Sequence, residues 1–124
     1  MLTTTVSGRT WSFSHSLGAF SEAGKGFLHP TDVAVAPGGI LYVVSRGQFA
    51  TMDSKISKDR LRITKLTIDE EFISEFATGH FTWPAGLALD SQGNLYCSDE
   101  YDNVIHVYGP DGQKLDAWGR GGAG

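Results

Sequence analysis

The chain has 124 residues, 40% of them hydrophobic and 19% charged, and a formal net charge of −4. That length suits one ordinary domain, and that balance marks a folding chain rather than a disordered one. The acidic sign argues against general nucleic-acid binding, and no apolar run approaches the roughly 20 residues of a membrane helix.

Residues 1–10 are rich in Thr and Ser and read as a lead-in without the basic, apolar pattern of a secretory leader, so localisation stays open. Residues 11–20, through Trp11, Phe13, Leu17 and Phe20, are expected to supply two outer strands of a preceding unit. After the linker 21–26, four short apolar runs follow at Thr31–Ala36, Ile40–Ser45, Arg62–Ile68 and Phe72–Phe76. A second set of four lies at Ala85–Asp90, Leu95–Asp99, Val104–Tyr108 and Lys114–Trp118. Gly, Pro, Asp and Asn separate the runs, which predicts antiparallel strands joined by tight turns. Residues 46–60 are too polar and irregular to extend a sheet and read as an inserted loop. The lone cysteine, Cys97, has no disulfide partner and sits where a small buried apolar side chain is wanted.

Laid against itself, the chain repeats. Phe27, Pro30, Val33, Ala34, Val35, Gly39, Leu41 and Tyr42 match Phe81, Pro84, Leu87, Ala88, Leu89, Gly93, Leu95 and Tyr96 at an offset of 54. Beyond the insertion, Ile63, Ile73 and Phe76 match Ile105, Leu115 and Trp118 at an offset of 42. A four-stranded repeat of about 40 residues has the size of one propeller blade. Val33-Ala34-Val35 and Leu87-Ala88-Leu89 are unbroken apolar runs, as inner strands covered on both faces require.

At these residues the chain resembles the NHL-repeat family of β-propellers. That repeat runs Phe-x-x-Pro-x-Gly-hydrophobic-Ala-hydrophobic-Asp, Gly-Asn-hydrophobic-Tyr-Val-x-Asp, Asn-x-Arg-Ile-x-Val-Phe, an Asp-Gly turn and a closing aromatic-Gly. The second copy carries Asp90, Gly93, Asn94, Tyr96, Asp99, Asn103, Ile105, Tyr108, Asp111, Gly112, Trp118 and Gly119 of this pattern, with Val104 in the Arg place. The first copy keeps Arg62 and Ile63 but has Asp32 and Ala36 for the usual Gly and Asp. The resemblance implies an all-β fold of four-stranded antiparallel blades from a six-bladed, incomplete ring. Its parts would be a lead-in (1–10), a remnant of a preceding blade (11–20), full blades at 21–76 and 77–119, and a linker (120–124) towards a further blade. Two blades leave apolar inner surfaces uncovered, so the chain is expected to need the remaining blades or to self-associate.

Alternating strand direction sorts the loops onto two faces. Linkers 21–30 and 77–84 share a face with loops 46–60 and 99–103, whereas the opposite turns are minimal. The candidate binding residues gather on or near the first face: His29, Asp32, Arg46, Lys55, Lys58, Arg60, His80, Trp83 and Tyr101. His29 and His80 precede inner strands and could face a channel, and Asp32 stands among apolar neighbours, where it would either reach the channel or hold the incoming linker. His15 and His106 read as surface residues. Arg46, Lys55, Lys58, Arg60 and Arg62 supply five charges against Asp53 and Asp59, too thin a surplus for tracking phosphates.

No catalytic set is legible and no cofactor or metal is implied. The repeat also resembles the propeller lyases that cleave peptidyl-α-hydroxyglycine, but their metal-binding His follows the repeat's Pro, where this chain has Thr31 and Ala85. The reading favoured by the residues is a scaffold for a protein or small-molecule ligand; the alternatives are part of a lyase-like or lactone hydrolase-like propeller enzyme, or an RNA-binding NHL module. Deletion of residues 47–58 is expected to leave the thermal transition in place and to weaken capture of a native partner, as a pull-down with the deletion variant would measure.

Overall fold

The unbroken apolar runs become the first strands of two sheets. The computed structural model describes residues 2–46 and 60–119, and among these it is all-β, with ten strands and no helix. A first four-stranded antiparallel sheet follows chain order through β3 (Pro30–Ala36), β4 (Ile40–Ser45), β5 (Arg62–Thr67) and β6 (Phe72–Phe76). A second does the same through β7 (Pro84–Leu89), β8 (Leu95–Asp99), β9 (Val104–Tyr108) and β10 (Lys114–Gly119). Each strand lies within a residue or so of its sequence expectation.

Even the irregularities repeat. Register shifts fall between Pro30 and Asp32 and between Pro84 and Gly86, so Thr31 and Ala85 are the extra residues at matching places. Shifts in the fourth strands likewise leave Ile73 and Leu115 as the odd residues. A bulge sharpens strand twist locally, so both sheets bend at the same points.

The sheets stack with β7 against β3 and β4. Ala34, Tyr42, Val44 and Ile63 of the first sheet meet Leu95, Cys97 and Tyr108 of the second in one buried cluster, with Leu87 and Leu89 packed against it. Phe81, fully buried in the linker between the sheets, joins that cluster. Phe76 closes the outer side with its ring tilted on Tyr108 at 5.5 Å. Gly112, at φ +84°, lies so close that a Cβ there would stand 2.8 Å from the Phe76 ring.

Coverage is unequal on the two faces of β3. Ala34 is buried, but Val33 and Val35 on the opposite face are 50% and 69% exposed. Farther out on that face, Leu41, Val43 and Leu66 are covered by Leu17 and Phe27.

The start of the chain differs from expectation. Instead of a lead-in there is a hairpin, β1 (Thr3–Val6) paired with β2 (Arg9–Ser12). Residues 13–20 form no full strand: Phe20 makes an isolated parallel bridge to Phe27. The segment is tied to the first sheet by Gly18 N–H donating to Glu70 Oε1 at 3.1 Å and by His15 Nε2 donating to the Ile68 carbonyl at 3.0 Å.

The linker entering β3 is fixed by a buried charge. Arg62, 1% exposed, lies among the carbonyls of residues 21–26. Its Nη1 donates to the Glu22 and Arg60 carbonyls at 3.2 Å each. Its Nη2 reaches the carbonyls of Ser21 at 3.3 Å and Gly26 at 3.1 Å. Nε faces Glu75 Oε2 at 3.1 Å, and that oxygen also accepts Gly24 N–H at 2.7 Å. Arg62, one of the five basic residues expected on the loop face, is therefore buried and adds no charge to that surface. Burial lowers its pKa and Glu75 opposes that shift, but a guanidinium keeps its charge. Arg62→Ala takes the donor from these carbonyls and leaves the exposed Glu75 with the Gly24 N–H alone, so its urea midpoint should fall by the equivalent of about 1–3 kcal/mol; a loss below about 1 kcal/mol would show the cage to be incidental.

Candidate functional site

The loop-bearing edge of the stack is built by one repeated backbone arrangement with different side chains. In the second repeat the buried Asp99 carboxylate accepts Thr82 N–H at 2.6 Å and Trp83 N–H at 3.2 Å, and Tyr101 N–H at 3.1 Å and Asp102 N–H at 3.2 Å. It thereby clamps linker 77–83 to the β8–β9 loop. At the matching place in the first repeat, buried Ser45 accepts Leu28 N–H on its hydroxyl at 3.2 Å. The next residues also correspond: Arg46 N–H donates to the His29 carbonyl at 2.9 Å and Glu100 N–H to the Trp83 carbonyl at 3.1 Å.

These clamps bring three sequence candidates together across the two repeats. The Arg46 guanidinium lies 4.7 Å from the Trp83 ring centroid. Trp83 stacks on Tyr101 with centroids 6.5 Å apart and planes 18° from parallel. Tyr101 is 64% exposed and Trp83 partly so. Arg46 also faces Glu100 at 3.9 Å. Glu100 was not singled out in the sequence, yet the signal was present: it occupies the repeat position of Arg46 with opposite charge. A cation over an indole contributes ~0.5–2 kcal/mol according to exposure, so the three side chains hold one another as an ordered platform.

The other candidates lie elsewhere or do other work. His29 is exposed at φ +53°, beside Arg46 through its backbone. Asp32 does not hold the incoming linker: its Oδ2 accepts Leu87 N–H from the second sheet and its Oδ1 accepts Val33 N–H, both at 2.8 Å. It is a bridge between the two inner strands. Arg60 pairs with Glu22 at 3.0 Å. Lys55 and Lys58 lie outside the described residues.

His80 packs on Tyr108 of β9. Its Nδ1 is 2.8 Å from Tyr108 Oη and its ring lies nearly parallel to Tyr108. His106, expected at the surface, is 8% exposed, stands edge-on to Phe81, and has Lys114 Nζ 3.4 Å from Nδ1. Its Nε2 is buried without a hydrogen-bond partner. Cys97, fully buried, has its thiol pushed up to about 12 by burial, so it is no nucleophile at neutral pH. Among the described residues no three His, Cys, Asp or Glu side chains converge as metal ligands, and no helix is long and apolar enough to cross a membrane.

No protein-family model matches the chain, and no curated protein matches it.

The two histidines set a pH dependence. Burial, with Lys114 next, lowers the pKa of both His80 and His106; for His106, His80 adds to the lowering and Asp99 and Asp102 oppose it. Below the ordinary histidine value of about 6.5 the unfolded chain takes up protons that the folded chain resists, so stability falls as pH drops from that value. Thermal melts from about pH 7.5 to 5 should show that decline, and His106→Leu should flatten it. An unchanged slope in the variant would remove His106 as a source.

Proposed function

We propose that this chain is part of an NHL-type β-propeller, six-bladed in its complete ring, and that it serves as a binding scaffold. Two stacked four-stranded antiparallel sheets with matching strand order and matching bulges support that architecture. The binding surface in this reading is the loop edge centred on Arg46, Trp83 and Tyr101. Its partner is a protein: the aromatic pair projects at the rim, Tyr101 being mostly exposed, and Trp, Tyr and Arg are the side chains that dominate protein interfaces.

The observation that carries this reading is the stack of Arg46 on Trp83 and Trp83 on Tyr101, set on backbone that Asp99 holds rigid. Ordered aromatic groups lose little entropy on binding, which is where preorganisation adds affinity. RNA recognition is disfavoured, because Arg62 is buried among carbonyls and Arg60 and Arg46 face Glu22 and Glu100.

The doubly truncated variant Trp83→Ala/Tyr101→Ala tests the site. Affinity capture on immobilised wild-type protein should retain partners that the variant, with an unchanged thermal transition, loses or binds at least ~10-fold more weakly, since a hot-spot truncation costs about 2 kcal/mol or more. Identical captured sets and affinities would place the binding surface elsewhere.

A further inference from the structure

The seam between the two sheets is a template for a second seam. Leu87 and Leu89, which enter it from the second sheet, match Val33 and Val35 at the offset of 54. On the receiving side, Ala34, Tyr42 and Val44 match Ala88, Tyr96 and Ser98 at that offset, and Ile63 matches Ile105 at 42. The stack thus carries an inserting surface on one side and a receiving surface on the other. Neither is covered by another sheet among the described residues.

Both surfaces have the form this requires. Val33 and Val35 are 50% and 69% exposed, side by side on one face of β3. Across the stack, Gly86, Ala88, Tyr96, Ser98 and Ile105, together with Asp32 and Leu87 from the interior seam, line a groove of about 200 Å³. We propose that a second copy of this chain docks head to tail, its Val33 and Val35 entering that groove. This goes beyond the binding-scaffold reading and uses a different surface.

Backbone polar groups agree with this occupant. In the interior seam, Leu87 N–H enters opposite Asp32 and donates to its Oδ2 at 2.8 Å. In the intermolecular seam the place of Asp32 is taken by Gly86, and the Asp32 carboxylate beside it in the groove is already engaged by the Leu87 and Val33 N–H groups of its own chain. The matching N–H, that of Val33, needs none: its own Asp32 Oδ1 accepts it at 2.8 Å. Docking therefore buries no orphaned donor at that point. Leu17 and Phe27 already cover the outer half of the inserting face, so the contact is confined to the inner strands. A contact of that extent is weak and concentration-dependent. Because it joins two unlike surfaces, it does not close at two copies.

Light scattering after gel filtration, over concentrations up to about millimolar, reads the wild-type association directly. Val35→Arg blocks the inserting face and Ala88→Arg the receiving face, and each variant alone should keep single-chain mass. An equimolar mixture leaves one intact face on each partner and should form dimers and nothing larger. Val33→Arg and Tyr96→Arg replace either variant that loses the wild-type circular dichroism spectrum. Wild-type protein at single-chain mass throughout, which would assign the groove to another partner or to further repeats, overturns the proposal. So does a mixture that stays at single-chain mass, or single variants that associate like the wild type.

Discussion

The packing of β7 against β3 and β4 is the contact on which the rest of the molecule depends. It is mostly apolar: Val44, Ile63, Phe81, Leu95, Cys97 and Tyr108 are all essentially inaccessible to solvent there. At ~1.5–3 kcal/mol for each large side chain fully buried, no polar contact among the described residues approaches that sum. Asp32 adds direction rather than strength, since one carboxylate on the Leu87 N–H fixes how far the second inner strand slides along the first. The loop edge inherits that register: Arg46 comes from the first repeat, Trp83 and Tyr101 from the second, and they meet because the sheets stack at this offset.

Within that frame, each repeat meets the same backbone problem with different chemistry. A linker must be turned into an inner strand beside the loop that leaves the second strand. Ser45 does this with one hydroxyl accepting one N–H; Asp99 does it with a carboxylate accepting four. A charged acceptor makes hydrogen bonds roughly twice as strong as a neutral one, so the second repeat's loop is the more firmly held. That loop carries Tyr101, and firmness there is what an exposed aromatic ring needs if it is to present a fixed surface.

Strand positions were legible in the sequence because each apolar run is short and ends in turn residues. The fixed offset predicted matching places, and the structure extends the match to the bulges. Burial was less legible. Strands β1 and β2 are exposed along their whole length, so they lack the alternation that reveals a strand, and only Ser7 and Gly8 mark them. Both of those residues have positive φ, the signature of a two-residue hairpin turn. A histidine is expected at the surface, whereas the register of His106 opposite Cys97 places it on the covered face. The burial of Arg62 is hidden from the sequence for the same kind of reason, since its partners are carbonyls of a linker some forty residues earlier. Of the candidate site, strand direction placed Arg46, Trp83 and Tyr101 on a shared face, but their stacking on one another depends on the offset of the two sheets. The positions of Asp32 and His80 were not legible, because they depend on which neighbour each side chain meets across the seam.

The two repeats also differ in how their edges are finished, and the difference is chemical. Arg62 and Glu75, which fasten the linker ahead of the first sheet, have Val104 and Ala117 at the matching places of the second. A buried guanidinium is tolerable only where carbonyls and a carboxylate surround it, and residues 21–26 provide that surrounding for the first sheet. An apolar pair in the second sheet removes the need for such a cage. The first sheet is therefore locked to the segment that precedes it by polar groups that accept no substitute. The second offers a groove lined by Gly86, Ala88 and Ile105 and by the polar side chains of Asp32, Tyr96 and Ser98. Those polar groups are already engaged within the chain, Asp32 by the Leu87 and Val33 N–H groups, Ser98 by the Gly86 N–H and Tyr96 by Asp90, so shape decides more of what the groove can receive than hydrogen bonding does.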